Sequence, residues 1–135
     1  MDYYVGQSVS IFKQFSDADI RVFAEVSGDD NPVHLDEGFA KKTVFGRRIV
    51  HGILTASLVS AVLGTKLPGY GTIYLSQSLN FRKPVFLGDT VETTVTILSV
   101  VVEKRLIELE TVCKNQDGDI VLEGKALVKA PKQSL

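Results

Sequence analysis

The sequence predicts an α+β fold in which one antiparallel sheet packs around one apolar helix. Residues 51–63 contain no Asp, Glu, Lys or Arg and are apolar nearly all round, which is typical of a helix surrounded by protein. Residues 72–129 then form segments rich in Val, Ile, Leu and Thr, separated by short turns. Short turns favour antiparallel neighbours, because parallel strands need long crossovers.

The length and composition fit a single domain that spans residues 1–135. Hydrophobic residues make up 44% of the chain, and they are spread along its whole length. Lys and Arg total 15 against 16 for Asp and Glu, so the net charge of -1 provides no overall positive field for nucleic acid. Cys113 is the only cysteine, which excludes an intramolecular disulfide and a cysteine-rich metal cluster.

The ends and the apolar segments predict a cytoplasmic protein that is not inserted in a membrane. Residues 1–10 contain an early acidic residue and lack the basic stretch and apolar run of a secretory signal. The longest apolar stretch, residues 49–63, is interrupted by polar residues and is shorter than the roughly 20 residues that a membrane span needs.

The first half of the chain predicts a strand followed by helices. Residues 8–15 are consistent with a first strand or an extended arm. A helix is expected to begin after Ser16, because this side chain can cap free backbone N–H groups, and to end at Gly28. Residues 36–42 predict one or two further helical turns, and Gly64, followed by Pro68 and Gly69, is expected to end the central helix.

The second half predicts four strands. Asp117 and Gly118 are a strong hairpin signal between the last two of them. An open sheet leaves an edge strand that commonly pairs with a second copy, so we expect a homodimer. The predicted strands are residues 72–81, 90–102, 106–114 and 120–129.

The chain has two histidines, His34 and His51, and His34 is the more informative. Asp29 lies five residues before it across a turn rich in Gly, Asn and Pro, so a chain reversal would bring a carboxylate and an imidazole to the same small volume. Such a pair can share a water, one group accepting a proton while the other supplies one. The same residues also fit an ordinary capped turn, and the spacing by itself does not separate the two interpretations.

A longer pattern resembles a known family. Residues 23–34, with the sequence FAEVSGDDNPVH, resemble the hydratase-2 motif of MaoC-like dehydratases and R-specific enoyl-CoA hydratases. The segments RIVHG at residues 48–52 and YLSQSLNF at residues 74–81 continue the resemblance in the same order. The similarity covers nearly the whole chain and implies a hot-dog fold, in which an antiparallel sheet curls around a long central helix.

The resemblance also implies the activity and the site residues. The expected reaction is the reversible hydration of a trans-2-enoyl-CoA to an (R)-3-hydroxyacyl-CoA, with Asp29 and His34 holding and activating the water. Asn31 is implied to support their geometry, and the backbone N–H of Gly52 to bind the thioester carbonyl oxygen. His51 is expected to be structural or to lie at the rim of the pocket. No metal and no bound cofactor are expected, because coenzyme A arrives as part of the acyl-CoA substrate.

Three other functions are compatible with the same fold. A hot-dog thioesterase would hydrolyse the thioester, although the spacing of Asp29 and His34 argues against it. A non-catalytic acyl-thioester-binding domain would use the loop only as a turn. A 3-hydroxyacyl-carrier-protein dehydratase of fatty acid synthesis would perform the same chemistry on an acyl chain attached to a carrier protein. The sequence does not distinguish a carrier protein from coenzyme A as the group that bears the acyl chain.

Overall fold

The computed structural model describes residues 2–132, which form one antiparallel sheet and four helices. A single 3-10 turn, Val102–Lys104, joins two of the strands. The elements in chain order are β1 (Ser8–Gln14), α1 (Asp17–Ser27), α2 (Pro32–Leu35), α3 (Glu37–Lys41), α4 (Gly52–Thr65), β2 (Ile73–Gln77), β3 (Asn80–Phe81), β4 (Thr90–Val101), β5 (Leu106–Lys114) and β6 (Ile120–Lys129).

The strand order is β1-β4-β5-β6-β2, and β3 also pairs with β6. Every pairing is antiparallel, as the short connections predicted. The predicted limits of β5 and β6 are correct, and the predicted turn at Asp117 and Gly118 joins the two strands. Gly118 has a φ of 79°, a backbone conformation that glycine adopts without strain.

The predicted strand at residues 72–81 is wrong in one respect, because it is interrupted at Ser78. The amide of Ser78 donates to the carbonyl oxygen of Lys125, and the amide of Lys125 donates to the hydroxyl of Ser78. Gly124 lies opposite, where a Cβ atom would stand only 1.8 Å from the Ser78 carbonyl oxygen. The close approach of two backbones at this point divides the segment into β2 and β3.

The core forms between α4 and the sheet. Alternate residues of β4 and β5 point inward, because successive side chains of a strand face opposite sides. Cys113 is among them and is fully buried, as expected of an inert core thiol, and burial raises its pKa. The buried residues of α4 are Thr55, Leu58, Val59, Val62 and Leu63.

Gly64 does not end α4, contrary to the prediction. The helix continues through Gly64 to Thr65. Glycine inside a helix costs about 1 kcal/mol relative to alanine, which the buried face of α4 outweighs. Across residues 2–132, none of the helices combines the length and the apolarity that crossing a membrane requires.

Candidate active site

The candidate site is built on the turn between α1 and α2. Gly28 ends α1 with a φ of 82°, and the turn then passes through Asp29 to Asn31. The side chain of Asn31 accepts a hydrogen bond from the amide of Val33 at 3.2 Å and so caps α2, while Pro32 occupies its first turn. The main-chain N–H of Asn31 in turn donates to the carboxylate of Asp29 at 3.3 Å. Asn31 therefore connects the backbone of the turn to both Asp29 and the helix that carries His34.

The sequence interpretation missed α2, because it described the segment before His34 only as a turn. The signal was present, because asparagine is a strong N-cap and proline is favoured at the first helical position. The helix has only four residues, too few for an apolar periodicity to reveal it. Its consequence is that His34 sits on a helical turn, with its side chain directed into the protein.

His34 is buried and held from two sides. Its side chain is held by Nδ1, which lies 2.8 Å from the carbonyl oxygen of Ile49. A carbonyl oxygen only accepts, so Nδ1 carries the proton, and in the neutral ring Nε2 presents a lone pair. The backbone is held by Arg48, whose Nε donates to the carbonyl oxygen of His34 at 2.7 Å and whose Nη2 donates to Asp17 at 2.6 Å.

Burial favours the neutral form of His34. The loss of hydration lowers the pKa of His34 below its usual 6.5, and the neighbouring ring of His51 lowers it further. The hydrogen bond to Ile49 and the carboxylate of Asp29 act in the opposite direction without reversing the shift. Near neutral pH, His34 is therefore a proton acceptor through Nε2.

His51 lies against His34, which the sequence interpretation did not anticipate. It is buried rather than at a rim, with 2% of its surface exposed. The two imidazole rings stack with centroids 3.8 Å apart and planes 25° apart, and Phe23 meets His51 edge-on at 4.8 Å. Nε2 of His51 donates to the main-chain carbonyl oxygen of Asp29 at 2.9 Å.

Asp29, His34 and His51 bring three potential ligand atoms within 4.8 Å of one another. This separation leaves room for a water between the carboxylate of Asp29 and the imidazole of His34. The same three residues are the candidate metal ligands of residues 2–132. Stacked imidazole rings hold their in-plane lone pairs in separate, nearly parallel planes, which does not favour convergence of these two rings on one ion. The arrangement suits a shared water better than a shared metal.

Gly52 is the first residue of α4, directly after His51. The side chain of His51 makes no capping hydrogen bond, and the first amides of a helix have no acceptor within it. The amide of Gly52 thus stands at the positive end of a fourteen-residue helix. A Cβ atom at Gly52 would lie 2.7 Å from the ring of Phe81, so glycine permits the close packing seen here.

Two cavities flank the start of α4. Gly52 and Phe81 line a cavity of about 310 Å³, whereas Ile53 lines an apolar cavity of about 500 Å³ on the other side. Phe23, which contacts His51, also lines the larger cavity, together with Ser57 and Ser60 of α4. Neither Asp29 nor His34 lines either cavity within the described chain. The candidate pair thus lies outside the lining of both cavities.

Comparison with known proteins gives concordant results. The family model described as MaoC like domain matches residues 5–118. The chain is 50% identical to a 3-hydroxybutyryl-CoA dehydratase of Methylorubrum extorquens, over 98% of this chain and 83% of that protein. It is 49% identical to an (R)-specific enoyl-CoA hydratase of Rhodospirillum rubrum, over 96% of this chain and 90% of that protein.

A solved structure shows the same architecture. It is an (R)-hydratase from A. caviae involved in PHA biosynthesis, with a TM-score of 0.94 and 45% identity. The similarity covers 96% of this chain and 98% of that chain. The predicted class of fold, an antiparallel sheet around a central helix, is therefore confirmed.

Proposed function

Because the chain belongs to the MaoC-like domain family, we propose that it is an (R)-specific enoyl-CoA hydratase. It adds water reversibly to the double bond of a trans-2-enoyl-CoA and forms an (R)-3-hydroxyacyl-CoA, so it is a hydro-lyase. The two relatives described above, one named for this activity and one for the reverse dehydration, align with 98% and 96% of the chain. The geometry that supports the proposal is the close approach of Asp29 and His34, together with the position of Gly52 at the start of α4, directly after His51.

We propose that the water lies between the carboxylate of Asp29 and Nε2 of His34. Nδ1 of His34 is committed to the carbonyl of Ile49, which leaves Nε2 as the atom that accepts the proton. The water oxygen then forms a bond to C3 of the substrate as its proton passes to Nε2. The pair returns a proton to C2, so one water supplies both the hydroxyl group and the new hydrogen.

The amide of Gly52 would bind the thioester oxygen while this happens. Addition at C3 moves the electrons of the double bond toward C2 and the carbonyl, which gives the oxygen an enolate character. A preorganised N–H at the positive end of a helix stabilises such a charge more strongly than it stabilises the neutral carbonyl. The apolar cavity beside Ile53 is suited to the acyl chain.

The first experiment follows the ultraviolet absorbance of the enoyl thioester in crotonyl-CoA mixed with the purified protein. Free thiol is measured in parallel. Loss of absorbance without release of thiol is expected from a hydratase, whereas release of thiol would identify a thioesterase. No change in either signal would contradict hydration of a short acyl-CoA. A crotonyl group attached to an acyl carrier protein would then test whether the substrate is bound to a carrier protein instead of coenzyme A.

Variants of the pair connect the activity to the site. Asp29→Asn and His34→Gln are expected to fold and to lose hydration by about 10²-fold to 10⁴-fold, the usual contribution of acid–base catalysis. Asp30→Asn is the matched control, because Asp30 is the exposed neighbour of Asp29 in the same turn. Full activity in either variant of the pair would contradict the mechanism.

We also propose that the protein works as a homodimer that forms through β2. Within residues 2–132 this strand pairs on one side only, with β6. Its exposed side chains include Ile73, Tyr74 and Leu75, and the last two line the larger apolar cavity. Exposed apolar edge strands associate readily with further strands. Leu75→Glu is expected to yield monomers in light scattering, whereas Val44→Glu, on an exposed loop, is expected to leave the dimer intact.

Two further expectations accompany the proposal. The reaction needs no metal or bound cofactor, because the water and its acid–base pair supply the chemistry, so activity should survive exhaustive dialysis against a chelator. A cytoplasmic location and a single domain at residues 1–135 stay predictions. A free, buried Cys113 is consistent with a reducing compartment, and cell fractionation tests the location.

A further inference from the structure

We propose that His51 is a positioning residue that joins the ring of His34 and the main chain of Asp29 into one rigid unit at the start of α4. The proposal rests on the proposed function, because the unit matters only if Asp29 and His34 share the reacting water. His51 is not assigned a part in the proton transfer. It acts through Asp29 and His34.

Three contacts carry the inference. Nε2 of His51 donates to the main-chain oxygen of Asp29 at 2.9 Å, which ties down the turn. The flat face of its ring covers His34 at 3.8 Å between centroids, which keeps water off that side and restricts rotation of His34. The main-chain oxygen of His51 accepts from the amide of Thr55 at 3.0 Å, which fixes His51 to the first turn of α4.

Packing by itself does not explain a histidine at this position. Nδ1 of His51 is buried and has no hydrogen-bond partner among the described residues. An unpaired buried nitrogen is unfavourable, and a phenylalanine of similar shape would avoid it. The chain therefore retains the unpaired Nδ1 together with Nε2, the donor on the opposite side of the same ring. That donor is the part of His51 that holds Asp29.

The unit also contributes to the protonation of His34. The charged and titratable groups around the ring are Asp29 from the turn, His51 from the start of α4, and Arg48 at the main-chain oxygen of His34. Arg48 is already paired with Asp17. Burial is the main reason that the pKa of His34 is lowered, and His51 covers one face of the ring. Removing the stack would hydrate His34 and raise its pKa toward 6.5.

Two substitutions separate the two contacts. His51→Phe retains a flat ring against His34 and Phe23 but removes the donor to Asp29, so kcat is expected to fall by about 10²-fold, the cost of a small misplacement. The pKa of His34 should stay low in this variant. His51→Gln retains a donor but removes the stack, so the pKa of His34 and the acid limb of kcat/KM should both rise.

The readout is the imidazole titration of His34 by nuclear magnetic resonance, together with the pH profile of kcat/KM. The chain has two histidines, so every His51 variant has a single imidazole signal, which belongs to His34. Val62→Ala is the control for general destabilisation, because it removes buried methyl groups from the same helix without touching either histidine. This control is expected to lower Tm and leave the titration unchanged.

The outcomes are distinct. A wild-type protein without hydratase activity would overturn the proposed function, while the titration would still report whether His51 determines the environment of His34. Wild-type kcat in His51→Phe together with an unshifted titration in His51→Gln would overturn the role of His51. A raised titration in His51→Gln and a lowered kcat in His51→Phe, with neither change in Val62→Ala, would establish it.

Discussion

Replacing Gly52 by alanine tests the role assigned to the start of α4. The new Cβ would lie 2.7 Å from the Phe81 ring, whereas ordinary contact begins at 3.4 Å, so the ring must move by about 0.7 Å. The Phe81 ring is half exposed and can shift toward solvent. We therefore expect a small loss of stability, about 1 kcal/mol or less.

The effect on catalysis should be much larger. The methyl group and the displaced ring both stand beside the amide that is proposed to bind the thioester oxygen. Loss of one such donor typically lowers kcat by about 10²-fold to 10³-fold, and the Gly52→Ala enzyme should approach that range. Crotonyl-CoA kinetics and a thermal melt measure the two effects on the same preparation.

Gly64→Ala is the matched control on the same helix. A Cβ at Gly64 meets nothing within 4 Å, so this variant should gain about 0.5–1 kcal/mol of stability, or roughly 3 °C in Tm. Its kinetics should equal those of the wild type. A Gly52→Ala enzyme with kcat/KM within about twofold of the wild type would refute the proposed contact of the Gly52 amide with substrate.

Four further predictions follow from the structure. His34 must be neutral to accept a proton, and burial lowers its pKa, so the acid limb of kcat/KM should lie below pH 6.5, and a limb above that value would contradict the assignment. The unfolded chain takes up this proton at a higher pH than the folded one, so the free energy of unfolding should decrease as pH falls through 6.5, as denaturant titrations at several pH values would measure. Arg48→Leu leaves the main-chain oxygen of His34 without its donor and should lower the free energy of unfolding by about 1–3 kcal/mol. In this variant kcat should change more than KM, whereas the control Lys41→Leu, at an exposed position of α3, should leave stability and kinetics unchanged. Gly124→Ala places a Cβ 1.8 Å from a backbone oxygen of Ser78, which cannot rotate away, so β2 should detach and Tm should fall well beyond the change caused by Gly52→Ala.

The sequence determined most of the local structure. Its apolar run without charges located α4, and the Asp117–Gly118 signal fixed the limits of β5 and β6. These predictions succeed because periodicity, capping and turn residues act over a few positions along the chain. The resemblance of residues 23–34 to a known motif paired Asp29 with His34, and the structure places the two side chains close together.

Only the tertiary structure decided how the pair is held. His51 follows His34 by seventeen residues, and no local pattern indicates that their rings stack or that His51 bonds the Asp29 backbone. The break between β2 and β3 likewise depends on Gly124, far along the chain. Such contacts depend on which separate elements meet, and no pattern within one element records its partner. The sequence thus provided the residues that are proposed to react, while the fold determined the orientation, burial and neighbours of His34.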